Sequence, residues 1–110
     1  MVAYDYEMYA GDSRIQPVEI VNELGEPVDL STAAITYEIA RSPDAEDAAI
    51  TKSTEDGIAV DENTATITLE PEDTAGMEGV YYHELEIVDA NGHSVTAVEG
   101  YILVRRTRIQ

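Results

Sequence analysis

Residues 79–92 read GVYYHELEIVDANG, and this stretch decides the fold class. Tyr81, His83, Leu85 and Ile87 alternate with Tyr82, Glu84 and Glu86, so an extended chain puts the mostly apolar set on one face and the acids on the other. Asp89-Ala90-Asn91-Gly92 then ends the run, and Asn-Gly is the most specific short-range hairpin signal. Ser94 to Val104 is the expected return strand. Its parity is ambiguous, because Val95 and Ala97 fall on one face and Val98, Ile102 and Val104 on the other. A bulge at Gly100 is the expected switch between them.

Outward from this hairpin the same period of two recurs. Ala65, Ile67 and Leu69 alternate with Thr64, Thr66 and Thr68, which is strong strand sequence. Ile35, Tyr37 and Ile39 alternate with Thr36 and Glu38, and Val2, Tyr4, Tyr6 and Met8 share one face of a first strand that ends at Gly11-Asp12. Ile15 to Val21 reads as another strand with Val18 and Ile20 inward; Pro17 lacks an N–H and belongs at a sheet edge. Asn22 to Pro27 is turn chemistry. Ile50 to Ser53 and Ile58 to Val60 read as short strands around a Glu55-Asp56-Gly57 turn. Pro71 to Ala75 suits one helical turn, and Ser42 to Ala49 a helical turn or a loop. Seven or eight short strands with no long helix predict an all-β chain, and two packed sheets are the economical way to bury one face of each. The expected architecture is a two-sheet antiparallel β-sandwich over residues 1–104, followed by a basic tail, 105–110; the resemblances below imply that it is immunoglobulin-like.

The charge excludes several function classes. The chain has 110 residues, with 23 Asp and Glu against 6 Lys and Arg. Residues 1–104 hold all 23 acids and only Arg14, Arg41 and Lys52, a net of −20, while Arg105, Arg106 and Arg108 restore +3. Nucleic-acid binding needs a basic footprint that this chain mostly lacks. No run of 18 apolar residues predicts a membrane span, and the first ten residues carry no leader signature. There is no Cys, which removes disulfides, thiolate metal sites and cysteine nucleophiles. A body of −20 repels itself, and salt relieves it as the screening length falls from about 10 Å at 0.1 M to about 3 Å at 1 M. With one Lys and no Phe or Trp, the composition fits a protein working in concentrated salt; an ordinary acidic surface in a low-salt host is the alternative.

Two stretches carry resemblances. Leu69-Glu70-Pro71-Glu72-Asp73-Thr74-Ala75 with Val80-Tyr81-Tyr82 is similar to the corner before strand F of immunoglobulin variable domains, where an Asp caps the turn and a Tyr clamps it. Here residues 76–79 are inserted and His83 stands where that family has its Cys. The second covers nearly the whole chain. It runs through Gly11-Asp12, Gly25-Glu26-Pro27-Val28-Asp29-Leu30-Ser31, Lys52-Ser53-Thr54, Gly57-Ile58-Ala59-Val60, the Pro71-x-Asp73-Thr74 corner, Gly79 to Gly92, and Gly100 with Ile102 and Val104. In this order the pieces resemble small immunoglobulin-like virion proteins of tailed phages and related viruses, including the N-terminal domain of siphophage baseplate upper proteins. The Thr-Gly-Ala usual in that family after Asp-Leu is replaced by Ser31-Thr32-Ala33-Ala34. The resemblance implies a non-enzymatic structural component located in the virion: a tail, baseplate or neck adapter, or a capsid decoration. Its partners would be other virion proteins and repeated copies of itself, with neither nucleic acid nor membrane.

Searching the residues for chemistry leaves little. Of the two histidines, His83 shares the parity of Tyr81, Leu85 and Ile87 and is expected in the core with one ring nitrogen bonded, or as a group that titrates near neutrality; His93 follows the turn and is expected exposed. Nothing positions a nucleophile beside a base. The acidic groups Asp44-Glu46-Asp47, Glu55-Asp56, Asp61-Glu62-Asn63 and Glu70-Glu72-Asp73 lack the spacing of a calcium hand, so neither a metal nor a cofactor is expected. Tyr9 and Tyr82 have the parity opposite to their core neighbours and are the candidate partner contacts, since Tyr offers area with a polar tip. Arg105, Arg106 and Arg108 join them as a tail able to reach an acidic patch on a neighbouring copy. The competing reading is a free-standing carbohydrate- or cell-surface-binding β-sandwich, with or without calcium held by its end loops.

Overall fold

The computed structural model describes residues 5–106. In chain order it contains β1 (Tyr6–Tyr9), β2 (Arg14–Glu19), β3 (Ala34–Ala40), β4 (Ile50–Ser53), β5 (Ile58–Asp61), β6 (Thr64–Leu69), the single helical turn α1 (Pro71–Thr74), β7 (Gly79–Val88) and β8 (Ser94–Arg105). They form two sheets, one of five strands ordered β1-β8-β7-β3-β4 and one of three ordered β2-β6-β5. The chain is all-β, as its periodicity predicts.

The core lies between the sheets. Ile35, Tyr37 and Ile39 of β3, Leu85 of β7 and Ile102 and Val104 of β8 meet Ile58, Ala65, Ile67 and Leu69 of the smaller sheet. All are the inward members of their alternating sets, and each buried aliphatic side chain contributes about 1.5–3 kcal/mol over its exposed state. Met8 is buried as expected, while Val2 and Tyr4 lie outside the described residues. Pro17 sits on β2, which pairs only with β6 and is therefore an edge strand.

Several expectations need correction. The pairing is not wholly antiparallel: β1 runs parallel to β8, with Tyr6 opposite Ile102 and Tyr9 opposite Arg105. The bulge is not at Gly100. In the β7–β8 ladder Leu85 faces Val98 and Glu86 faces Thr96, so Ala97 is the extra residue. One inserted residue flips parity, which puts Val95 opposite Ile87 while Val98, Ile102 and Val104 keep the inward face. Gly100 has a different reason: it faces His83, and a Cβ there would run into the Asp5 carboxylate. The hairpin loop is also wider than two residues. It spans Asp89–His93, where the Asp89 carboxylate accepts the N–H groups of Asn91 and His93 at 2.9 Å and Gly92 takes φ 84°.

The expected pair of strands around Glu55-Asp56-Gly57 splits between sheets, since β4 pairs with β3 and β5 with β6. This is where the chain crosses the core. Gly57 (φ 95°) lets the stem of Lys52 pass over it, and Lys52 Nζ reaches Asp73 Oδ2 at 2.9 Å, tying β4 to α1. Burial opposes ionisation of Asp73, but the hydrogen bond and charge of Lys52 and the Glu70 N–H outweigh it and hold the carboxyl below its usual range. Thr74, fully buried, accepts the Gly11 N–H at 2.8 Å and fastens the first turn to the same corner. Residues 42–49 form turns and bends without a helix. Arg105, expected to open the tail, is the last residue of β8.

Candidate functional site

The outward face of the β1-β8-β7 side gathers several large, partly exposed side chains. Pairing sets Tyr9 beside Arg105, Glu7 and Val80 beside Leu103, and Tyr82 beside Tyr101. Tyr9 is 51 % exposed, Tyr101 39 % and Val80 38 %. The rings of Tyr82 and Tyr101 meet edge to face with centroids 5.8 Å apart. The Tyr82 hydroxyl donates to Glu84 Oε1 at 2.8 Å. Desolvation, then the Glu84 bond and the charges of Glu84 and Glu99, push this phenol up to about 12, so it remains a donor at neutral pH. Arg105 Nε donates to Glu7 Oε2 at 3.1 Å, with both side chains about half exposed.

Of the candidate contacts, Tyr9, Tyr82 and Arg105 therefore share one face. Arg106 follows β8 and is exposed, and Arg108 lies outside the described residues. Tyr101, Val80 and Leu103 belong to the same patch and were not singled out from sequence. Their signal was present, because Tyr101 and Leu103 have the parity opposite to Ile102 and Val104, but the mixed parity of residues 95–98 obscured it. Beside the aromatic patch runs a row of like charge: Glu38 faces Glu84, which faces Glu99. Like charges directly opposite are destabilising in a sheet.

The inward face of the same sheet holds the second cluster. His83 Nε2 donates to the Asp5 carboxylate at Oδ2, 2.6 Å away, and its Nδ1 lies 2.8 Å from the Tyr37 hydroxyl; the Tyr37 and Tyr6 hydroxyls lie 2.9 Å apart. Both ring nitrogens are thus engaged, one more than expected. The Tyr6 and Tyr37 rings stand edge-on to the imidazole, and the Arg14 guanidinium of β2 lies 3.9 Å from the Tyr6 centroid. Arg14 is held by two bonds to Gln16 Oε1 at 3.0 and 2.7 Å. Burial pushes both phenols above their ordinary range, most strongly Tyr37, against which Tyr6 also acts. A tyrosine nucleophile needs the opposite shift. What this arrangement does is join β1, β3 and β7 through hydrogen-bonded polar groups, with Arg14 of β2 stacked on the Tyr6 ring. Asp5, Arg14 and Gln16 were not singled out from sequence, since charged or polar residues near a strand end look solvated until a partner closes on them.

Tyr81 is buried with the Arg41 guanidinium 4.5 Å from its ring centroid. Among the described residues neither Tyr81 nor Tyr82 bonds the Pro71 corner through its hydroxyl, so the clamp implied by the variable-domain resemblance is not the one used; the Asp73 cap is present, accepting the Glu70 N–H at 2.7 Å. Among the described residues no three His, Cys, Asp or Glu side chains cluster in a way that could hold a metal ion. No helix there is long and apolar enough to cross a membrane. No protein-family model matches this sequence, and no curated protein matches it.

Proposed function

We propose that this protein is a structural component of a tailed virus particle, a tail, baseplate or neck adapter or a capsid decoration, that acts by protein–protein contact rather than by catalysis. The observation that carries the reading is the outward patch of Tyr9, Val80, Tyr82, Tyr101 and Leu103, a contiguous aromatic and aliphatic surface at a rigid sheet. Such residues anchor protein contacts because they bury area while keeping a hydrogen-bonding tip. The fold in this reading is immunoglobulin-like. Its support is the strand order, with β8-β7-β3-β4 corresponding to G-F-C-C′ and β2-β6-β5 to B-E-D.

The partners are other particle proteins and further copies of this chain, not nucleic acid or a membrane. Mass spectrometry of purified particles from the host should find the chain as a stoichiometric component. A Tyr9→Ala/Tyr82→Ala/Tyr101→Ala variant should fold and yet be lost from the particles. Absence of the chain from particles, or a glycan-array hit abolished by EDTA, would overturn the assignment in favour of a free-standing carbohydrate-binding module.

A further inference from the structure

The two sheets are unequal, and three strands cannot cover five. On the side where β2 lies over β8 the interior is left open. At the hairpin end a cleft of about 770 Å³ runs in between the 22–27 turn and the start of β8. Its apolar wall is Ile20, Val21, Leu24, Val28, Ile87 and Val95. Three of these are far more exposed than their type usually is: Leu24 at 83 %, Val95 at 60 % and Val21 at 51 %. Glu19, Glu23 and Asp89 line the same cleft, as does His93, whose Nδ1 is 3.3 Å from Asp89 Oδ2. The Asp89 carboxyl is held below its usual range, first by the His93 N–H, so it is ionised at neutral pH.

An apolar floor with an acidic rim selects a basic segment that carries an aliphatic side chain. The chain has one such segment: residues 106–110 contain Arg106, Arg108 and Ile109. The segment cannot serve its own cleft. The cleft lies at the start of β8, around Val95, and the segment leaves from the end of β8, after Arg105. Ten residues of strand separate these points by about 33 Å, whereas five extended residues reach at most about 18 Å. The partner must then be another molecule. Because the bodies are strongly acidic, these arginines are also the concentrated positive charge that one copy offers another.

We infer that residues 106–110 of one copy seat in the acid-rimmed cleft of a second copy, Ile109 supplying the apolar contact and Arg106 and Arg108 meeting Glu19 and Glu23. The contact is heterologous, tail to cleft, so it builds a closed ring or an open row of subunits rather than a two-fold dimer. It deepens the particle reading above, on which it rests for the expectation of repeated copies.

Sedimentation velocity of the full chain should reveal assembly that grows with concentration. Arg106→Glu/Arg108→Glu and Glu19→Lys/Glu23→Lys should each weaken association by at least about tenfold, a change of one decade in the constant. Mixing the two charge-reversed proteins should restore it, because each tail then finds a cleft of opposite sign. Glu19, Glu23 and Arg106 are exposed, and circular dichroism checks that each variant folds. Ile109→Ser and Leu24→Ser should weaken assembly without altering charge. A full chain that stays monomeric at every concentration, variants that assemble like the parent, or a mixture that fails to recover would each overturn the contact. A chain present in particles yet monomeric here sinks only this inference; a chain that assembles by its tail but is missing from particles sinks only the particle assignment.

Discussion

Two pairs of tyrosines on the five-stranded sheet have opposite roles. Tyr6 and Tyr37 point inward, where their hydroxyls meet each other and His83; Tyr82 and Tyr101 point outward, edge to face, with the Tyr82 hydroxyl on Glu84. The residue type is the same and the strands adjoin. The difference is the side of the pleat. Inside, a phenol is costly unless its hydroxyl is satisfied, so it becomes one link in a fixed network. Outside, water can satisfy the hydroxyl, and the ring remains available to a partner.

The comparison breaks first at His83. His83→Ala would remove the Tyr37 hydroxyl's bond to the imidazole, leave Asp5 without its partner and open a void, and a loss of about 3 kcal/mol is expected by chemical denaturation. Tyr82→Ala, on the other face of the same strand, should cost no more than about 1 kcal/mol. Similar losses from the two variants would mean that the inward network stabilises nothing beyond its packing.

Lys52→Met probes a second inward polar link, the pair with Asp73. A loss of about 2 kcal/mol is expected, between the limits for fully buried and exposed ion pairs. The same pair predicts a pH dependence. The folded Asp73 carboxyl titrates below its unfolded value, so its stabilisation is present above about pH 4 and disappears as pH falls through the lower, folded value. Thermal melts of the parent and Asp73→Asn should differ at pH 6 and converge in stronger acid; a constant difference would refute the linkage.

The smallest effect is expected outside, in the acidic row. Glu84→Gln removes the charge shared by two unfavourable cross-strand pairs and should stabilise by about 0.5–1 kcal/mol at low salt. Molar KCl should raise the melting temperature of the parent and shrink the gap to this variant. A parent destabilised by salt would sink the proposal that its surface suits a saline environment.

Much of this layout is readable from residue order. The strands of Ile35 to Ile39, Ala65 to Leu69 and Tyr81 to Ile87 are visible because a half-buried strand must alternate, and the Asn91-Gly92 signal announces the hairpin even though the loop proves wider. Tyr9 and Tyr82 are legible as outward for the same reason. The bulge at Ala97 is not, since an extra residue leaves no mark except mixed parity, and Gly100 is the more conspicuous but wrong choice. The Asp5–His83 bond is equally hidden, because it joins residues 78 apart.

Alternation and charge alone were enough to establish an all-β chain, an acidic body and a basic end, because each follows from properties local to a few neighbouring residues. The assignment of β4 and β5 to different sheets, the parallel seat of β1, the inward network and the open cleft depended on which distant surfaces met. Those outcomes arise from packing two sheets of unequal width, and a period of two states only that a strand has an inside, not what lies against it.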